Sequence, residues 1–273
     1  MASETKRMLI VGATSRLAME TARLYAREGW MLALAGRNER HLDQVARELE
    51  REGGIVAACR QLDVSDASRR HQAVQEMVEA LGGLDVALLA CGVAHRPEDY
   101  ERDWGLVAGE VETNFTGLAS LLLQLANYCQ RQGRGTLAVI GSVAGDRGRR
   151  DQYLYAATKA ALHVFAQGLR QRLHPSKVAV VMVKPSLADT PMTAHLKTGL
   201  RGRLFSDPRR VAAGIRRAID RRCSVVYVPW FWRWIMLAIR LIPEPVFKRL
   251  RVALPAQDPP VAPSPMETHG ENV

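Results

Sequence analysis

Cysteine is scarce in this 273-residue sequence, and the few cysteines are not arranged in pairs. There is no CxxC spacing and no histidine cluster at the intervals typical of a metal site. We therefore expect neither a disulfide framework nor a metal site. The thiols are predicted to be reduced and mostly buried, namely Cys59, Cys91, Cys129 and Cys223.

The sequence also lacks a long apolar run near its start and any repeat of solenoid type. The apolar residues from Met8 to Ala13 are interrupted by Gly12, so they fit a buried strand better than a secretory leader. We accordingly expect the main domain to remain in the cytoplasm.

Acidic residues are outnumbered, with 28 Asp and Glu against 38 Lys and Arg, which gives a net charge of +10. Most of this excess is interpreted as a solvated surface, and nucleic acid is not expected as a partner because no helix-turn-helix pattern or aromatic-interleaved basic groove is present. One cluster is more specific: eight arginines lie between Arg201 and Arg222, against only Asp207 and Asp220. This cluster is predicted to meet an anionic substrate or a phosphate-bearing membrane surface.

Short buried runs alternate with helical patterns along most of the chain, which predicts an α/β fold with one doubly wound parallel sheet of the Rossmann type. We assign this domain to residues 1–228. The predicted strands are Arg7 to Val11, Met31 to Ala35, Ile55 to Arg60, Val86 to Ala90, Thr136 to Ile140, Val178 to Val183 and Val225 to Val228.

The first predicted strand is followed by a glycine turn and then by a helical pattern through Arg27. Strand, glycine turn and helix form a phosphate-binding unit, because backbone N–H groups at the helix start face a pyrophosphate. Arg16 and Ala18 stand where a GxxxGxG pattern has its second and third glycines. An ordinary strand-to-helix turn therefore remains the alternative.

Tyr155 and Lys159 are four residues apart in a helical pattern, and Ser142 follows the predicted strand that ends at Ile140. Residues at this spacing share one helix face, so a nearby ammonium can favour the phenolate and lower the pKa of Tyr155. A serine hydroxyl can hydrogen-bond a substrate oxygen. The set is typical of an enzyme that transfers hydride, while a chance Tyr and Lys on an exposed helix face is the alternative.

The end of the second predicted strand bears on cofactor choice. An acidic residue there would accept from a ribose 2′-hydroxyl and repel a 2′-phosphate, but the chain has Gly36 and Arg37. This favours NADP(H), with NAD(H) possible. Arg37 could also be a solvated arginine or stack on adenine.

Together these features resemble the short-chain dehydrogenase/reductase family, from Lys6 to Val228. The resemblance implies that Asn114, Ser142, Tyr155 and Lys159 are catalytic, with Asn114 holding a water relay, Tyr155 donating the proton and Lys159 binding the ribose. Without that context, Asn114 would fit a helix-start or turn asparagine equally well. The implied cofactor-binding residues are Gly12, Thr14, Ser15, Arg16, Leu17, Arg37, Asp63, Val64, Gly92, Tyr155, Lys159, Pro185 and Thr190.

Two segments depart from the family pattern. Residues 89–92 read LACG where the family has NNAG, and Ser186 replaces the glycine of the family's PGxxxT segment. The family also implies that Asp63 contacts adenine, that Thr190 contacts the nicotinamide carboxamide, and that the protein forms a homo-oligomer.

The segment after the last predicted strand is rich in tryptophan, since three of the chain's five tryptophans lie between Trp230 and Trp234. The apolar stretch from Trp230 to Ile242 is shorter than the ~20 residues that span a bilayer. We predict that residues 229–254, through Leu254, form an amphipathic extension that rests on a membrane surface. A helix packed on the domain or on a second copy is the alternative. Residues 255–273 are proline-rich and are predicted to be a disordered tail.

A narrower resemblance is to the reductases of decaprenylphosphoryl-2-keto-β-D-erythro-pentose and their proteobacterial relatives. It is carried by residues 12–18 (GATSRLA), 139–148 (VIGSVAGDRG), 184–195 (KPSLADTPMTAH) and 229–250. It implies reduction of the C2 ketone of a polyprenyl-phosphoryl pentose to an arabinofuranose donor for a cell-envelope polymer. It also implies a flavoprotein oxidase partner and a place on the inner face of the membrane. The alternatives are a reductase of another lipid ketone, of 3-ketosphinganine or 3-oxoacyl type, and a non-enzymatic NADP-binding sensor or scaffold.

Overall fold

The computed structural model describes residues 5–189 and 205–250. Seven parallel strands form one sheet in the order β3-β2-β1-β4-β5-β6-β7, so the chain reverses its direction of winding between β1 and β4. The predicted fold class is confirmed, and each predicted strand is present with its ends shifted by at most two residues. The strands are β1 (Arg7–Val11), β2 (Met31–Gly36), β3 (Ile55–Gln61), β4 (Val86–Leu89), β5 (Gly135–Ile140), β6 (Val178–Pro185) and β7 (Val225–Val228).

Helices cover both faces of the sheet, and local signals fix several of their ends. Ser15 and Asn38 cap the first two helices by accepting from backbone N–H groups, and Gly82 and Gly133 end α3 and α6 with positive φ angles. The helices are α1 (Arg16–Ala26), α2 (Glu39–Arg51), α3 (Arg70–Leu81), α4 (Pro97–Arg102), α5 (Gly105–Val111), α6 (Gly117–Gln132), α7 (Tyr153–Leu173), α8 (Pro208–Asp220), α9 (Trp232–Leu241) and α10 (Glu244–Phe247).

The buried strand residues belong to two apolar layers, one on each face of the sheet. One layer contains residues of α3, α6 and α7, and the other contains residues of α1, α2 and α8. Because successive strand residues point to opposite faces, near-continuous apolar strands are what a sheet covered on both sides requires.

The C-terminal helix α9 is apolar on two opposite faces. Its inner face packs on the domain, because Trp232 and Met236 are buried against Val143 and Tyr227. Its outer face carries Trp234, Leu237 and Leu241, which are exposed. The inner face of α9 packs on the domain, as the alternative to the membrane prediction stated. The outer face still exposes the apolar residues on which the membrane prediction depends. No helix of the described residues is long and apolar enough to cross a membrane.

The structure bears on the expectations about thiols and about the arginine cluster. Only Cys129 is fully buried, and the other three thiols, all unpaired, are half-buried. In the arginine cluster, Arg216 is not free for an anionic ligand, because it pairs with Glu28 and Asp220. It also donates to the Leu24 carbonyl at 3.0 Å and so joins α8 to α1. Arg201 and Arg203 lie outside the described residues, as do Thr190 and the predicted tail.

Candidate active site

A groove lies at the carboxyl ends of β1, β2 and β4, where the strand order reverses. Such a crevice is the usual ligand site of an open α/β sheet. Its lining includes seven residues predicted to bind cofactor: Gly12, Thr14, Ser15, Arg37, Asp63, Val64 and Gly92. The remaining lining residues are Gly36, Leu62, Ala90, Cys91 and Thr113.

Gly12 makes this groove possible. Its φ is +84°, and a Cβ there would lie 2.9 Å from both the Ala90 carbonyl carbon and the Cys91 Sγ. A side chain would therefore be strained and would also clash with the end of β4. The open backbone at the start of α1, together with the groove above it, fits the pyrophosphate of a dinucleotide.

Besides Tyr155 and Lys159, four predicted cofactor residues are not in that groove lining. Arg16 is exposed and pairs with Glu20 at 3.0 Å, while Leu17 packs against the α1 side of the core. Pro185 ends β6, one strand away from the Ser142 turn. Thr190 lies outside the described residues.

Asn114 is fully buried in a π-helical turn, Glu112–Thr116, between α5 and α6. Its side chain accepts from the Val93 N–H and donates to the Val93 carbonyl, both at 2.8 Å, and also donates to Thr158 at 3.2 Å. π-turns are rare and frequently occur at functional sites. The Asn114 side chain therefore connects this turn to the segment that follows β4 and to α7.

Lys159 is buried on α7, one helical turn after Tyr155. Its Nζ lies 3.5 Å from the Cys91 carbonyl oxygen and 5.6 Å from the centroid of the Tyr155 ring. Burial lowers the pKa of Lys159 to about 8. A Cβ on Gly92 would lie 3.1 Å from Lys159 Nζ and 3.4 Å from Asn114 Oδ1, so three predicted site residues meet here.

The pKa of Tyr155 reflects several opposing influences. Burial raises it and is the largest influence; a side-chain hydrogen bond from Ser142 opposes this rise. The charge of Glu110 raises the pKa further, and the charge of Arg149 lowers it. The pKa of Tyr155 is raised overall, because desolvation of the phenol is the largest influence.

Ser142 lies at the start of a short 3-10 helix, Val143–Asp146, and its Oγ accepts from the Ala144 N–H at 3.1 Å. We call residues 142–147 the serine turn. Asp146 joins this turn to two strands, because it accepts from Lys184 Nζ at 2.5 Å and from the Tyr227 hydroxyl at 2.7 Å. Asp146 and Lys184 lie in two of the segments that carry the narrower resemblance, but sequence reasoning gave neither a role, since it gives no sign that the two side chains pair across 38 residues.

The C-terminal helices also contact the serine turn. Arg147 donates to Glu244 at 2.7 Å and to the Arg240 carbonyl at 3.1 Å, and its guanidinium lies 4.2 Å from the centroid of the Phe247 ring. Together with the packing of Trp232 on Val143, these contacts hold α9 and α10 beside Ser142.

Two further titratable residues near this site were missed by sequence reasoning. Glu110 is fully buried, and Arg149 is only 5% exposed. The only signal in the sequence was their spacing from predicted site residues. Glu110 lies one helical turn before Asn114, Arg149 lies six residues before Tyr155, and neither spacing belongs to a known pattern.

A parallel seven-stranded sheet, a dinucleotide groove at its switch point, and a Ser, Tyr and Lys set beside it define a nucleotide-dependent oxidoreductase. The short chain dehydrogenase family matches residues 6–201. The chain belongs to the short-chain dehydrogenase/reductase family and is an oxidoreductase.

Several relatives are similar over most of the chain. An uncharacterized oxidoreductase of Streptomyces coelicolor is 37% identical over 249 residues, which cover 90% of this chain and 96% of the relative. One from Mycobacterium tuberculosis is 34% identical, covering 89% of this chain and 96% of the relative. The serine 3-dehydrogenase of Agrobacterium fabrum is 31% identical, covering 70% of this chain and 75% of the relative.

Solved structures share the fold. An actinorhodin polyketide ketoreductase variant with NADPH has a TM-score of 0.74 at 24% identity, covering 84% of this chain and 97% of that one. The protein gox2181 also has a TM-score of 0.74, at 18% identity, covering 84% of this chain and 96% of that one.

Proposed function

We propose that the protein is an NADPH-dependent ketone reductase whose substrate is lipid-linked. The specific reaction we propose is reduction of the 2-keto group of a polyprenyl-phosphoryl pentose, giving an arabinofuranose donor. The observation that carries the reductase assignment is the convergence of Ser142, Tyr155, Lys159 and Asn114 at the groove end of the sheet.

A nicotinamide cofactor, when bound, would supply hydride for the carbonyl carbon. Ser142 holds the carbonyl oxygen by a hydrogen bond, and Tyr155 donates the proton that completes the alcohol. Lys159 would bind the ribose hydroxyls with its ammonium, and Asn114 would hold the water through which the proton is replaced. A raised pKa keeps Tyr155 protonated and ready to donate, which suits the reducing direction.

The preference for NADPH is supported by the end of β2. Gly36 and Arg37 line the groove there, so a guanidinium can pair with a 2′-phosphate and no carboxylate from that strand end repels it. The actinorhodin ketoreductase, which shares this fold, has a structure with NADPH.

The lipid-linked substrate is supported by the outer face of α9. Trp234 and Leu241 are 58% and 72% exposed, while Arg233 and Arg240 lie together on one edge of the same helix. Tryptophan and arginine side chains are both favourable at a membrane surface, where ring and charge reach their preferred layers. Because the inner face of α9 packs on the serine turn, a membrane-resting helix would bring the active site to its substrate.

The remaining parts of the proposal follow from the narrower family resemblance. They are a flavoprotein oxidase that produces the ketone, a homo-oligomeric assembly, and a peripheral position on the inner face of the membrane.

The test is oxidation of NADPH, and separately NADH, by purified protein in detergent micelles with a 2-keto polyprenyl-phosphoryl pentose. We expect turnover with NADPH, and a loss of about a hundredfold or more in Tyr155→Phe because its proton donor is removed. Cofactor affinity should change little in this variant. Tyr155→Phe turning over at the wild-type rate would contradict the mechanism. If the wild type turns over only other lipid ketones, such as 3-ketosphinganine, the proposed pentose substrate would be wrong.

A hydroxy amino acid is the second candidate substrate, favoured by the similarity to serine 3-dehydrogenase. Reduction of NADP⁺ by the same preparation in the presence of L-serine tests it directly. Turnover with serine and none with the lipid ketone would favour this reading.

A further inference from the structure

The carboxylate of Asp146 connects the serine turn to the sheet. Lys184 Nζ donates to its Oδ1 at 2.5 Å and the Tyr227 hydroxyl donates to its Oδ2 at 2.7 Å, so each oxygen has its own donor. The Asp146 side chain is only 3% exposed. Because hydrogen bonds in such a poorly solvated region are stronger than in water, these two bonds hold the carboxylate firmly in one place.

The two donors belong to neighbouring strands and are fixed relative to each other. Lys184 on β6 and Tyr227 on β7 are partners in the strand register, and the Lys184 ammonium lies 5.3 Å from the centroid of the Tyr227 ring. The position of the Asp146 carboxylate is therefore set by the sheet itself, which is the most rigid part of the fold.

Only four residues separate Asp146 from Ser142, and the turn between them is closed by short-range bonds. The Gly145 N–H donates to the Ser142 carbonyl at 3.2 Å, and the Ala144 N–H donates to Ser142 Oγ at 3.1 Å. A shift of the Asp146 carboxylate would thus be passed through a single tight turn to the Ser142 hydroxyl.

The other side of the serine turn lies directly against the catalytic helix α7. A Cβ on Gly145 would lie 2.8 Å from the Lys159 carbonyl carbon and 2.9 Å from the Ala160 nitrogen. Gly145 permits this close approach but has no side chain with which to fix it. The orientation of the turn beside Lys159 therefore depends on its anchored side chains, and Asp146 is the one that bonds to the sheet.

We propose that Asp146, held by Lys184 and Tyr227, is a positioning residue that keeps the Ser142 hydroxyl in place for the reaction. A buried ion pair often adds no more stability than apolar residues of the same volume, but its bonds are directional. A directional anchor is what a hydroxyl that must meet one substrate oxygen requires. The inference rests on the proposed function only in giving Ser142 that contact.

Tyr227→Phe is the test variant, because it removes one bond to Asp146 and leaves the ring and the ion pair. Steady-state kinetics is measured with the lipid ketone or L-serine, whichever the wild type turns over. We expect kcat to fall about tenfold while the KM for the nucleotide stays at the wild-type value. In a Ser142→Ala background the same change should have no further effect, since Tyr227 acts through Ser142.

Tyr25→Phe is the matched control. The Tyr25 hydroxyl also donates to a carboxylate, that of Asp220 at 3.1 Å, but this pair joins α1 to α8. The control variant should lose stability and keep the wild-type kcat. If Tyr227→Phe does not fold, as judged by circular dichroism, Asp146→Asn takes its place with the same expectations, because it keeps the shape of the side chain and weakens both bonds.

Amide hydrogen exchange, measured by NMR on the full chain without substrate, reports the turn independently of turnover. Exchange at Ala144, whose N–H is bonded to Ser142 Oγ, should accelerate about tenfold or more in Tyr227→Phe and stay unchanged in Tyr25→Phe. If the wild type turns over neither substrate, the proposed function fails and this exchange result alone decides the inference.

Three results would overturn the inference and leave Asp146 a structural role. They are a wild-type kcat in Tyr227→Phe, an equal loss of kcat with and without Ser142, and exchange at Ala144 that is unchanged or rises only as much as in the rest of the protein.

Discussion

Gly92 lies in the segment that follows β4, close to the side chains of two predicted catalytic residues, Lys159 and Asn114. A methyl group there would lie 3.1 Å from Lys159 Nζ, closer than most carbon contacts allow, so the ammonium would have to move. Residues 89–92 differ from the family's NNAG pattern but retain its final glycine, Gly92. The close approach of Lys159 explains why a glycine is needed there.

We predict that Gly92→Ala lowers kcat about tenfold or more, because a small displacement of a catalytic group is costly. Steady-state kinetics with NADPH checks this. Gly109→Ala is the control: a Cβ there meets nothing within 4 Å, and the helix propensity of alanine should make the variant as stable as the wild type or about 1 kcal/mol more stable. A fully active Gly92→Ala would show that Lys159 tolerates the shift.

The lowered pKa of Lys159 has a consequence for stability. The folded pKa of about 8 lies below the ordinary lysine pKa of 10.5, so between these two pH values the unfolded chain binds more protons at this residue. The contribution of Lys159 to the free energy of unfolding should therefore rise with pH across that interval and be smallest below it. Urea unfolding of wild type and Lys159→Met at several pH values measures this as a difference. A difference that does not change with pH would contradict it.

At the scale of elements, the serine turn depends on strands and helices from the second half of the chain. Lys184 on β6 and Tyr227 on β7 both bind Asp146, and His163 Nδ1 on α7 lies 3.7 Å from the same carboxylate. The side chains of Asp146, His163 and Lys184 are at most 10% exposed, which makes the cluster sensitive to the loss of any one charge.

We predict that Lys184→Met destabilises the protein by about 3–5 kcal/mol, because Asp146 becomes a buried charge without its ammonium. Lys184→Met combined with Asp146→Asn should recover much of this loss, since the Tyr227 hydroxyl can still donate to the amide oxygen. Denaturant unfolding of the single and double variants measures both effects. A double variant no more stable than Lys184→Met would mean that packing, not charge, holds the turn.

The strands were predictable and the short helices were not, for a physical reason. Each strand is a run of apolar residues that any doubly covered sheet requires, so its signal is local. The π-turn at Asn114 and the serine turn depend on distant partners, Val93 and Lys184 among them, which no local pattern encodes. Helix α9 shows the same limit, because apolar residues on both faces do not say which face packs inward.

The site was predictable to a different extent. Spacing alone brought Tyr155 and Lys159 to one helix face, and the glycine turn indicated the groove. Glu110 and Arg149 escaped notice because charged residues are expected at the surface. Their burial follows only from the assembled tertiary structure.

At the scale of the whole molecule, the outer face of α9 should govern association with membranes. We predict that the full chain sediments with vesicles of phosphatidylcholine and phosphatidylglycerol, and binds less to phosphatidylcholine alone, because anionic lipid attracts Arg233 and Arg240. Trp234→Glu should reduce binding about tenfold or more, since a ring that the membrane would bury is replaced by a charge. Vesicle co-sedimentation gives the measurement.

Trp104→Glu is the control for this experiment, because Trp104 is 81% exposed at the start of α5, in a different part of the fold. It should bind vesicles as the wild type does. Light scattering should be run in parallel: a dimer that Trp234→Glu dissociates, with no vesicle binding, would show that the face joins two copies instead.

The contacts that hold the serine turn come from residues near the end of the chain, and this affects the order in which the protein folds during translation. Tyr227 lies 81 residues after Asp146, and Glu244 lies 97 residues after Arg147. A nascent chain folds from its amino terminus as it leaves the ribosome, so the nucleotide groove can form well before these partners emerge. The growing polypeptide would therefore acquire cofactor affinity first and catalytic competence only near the end of translation.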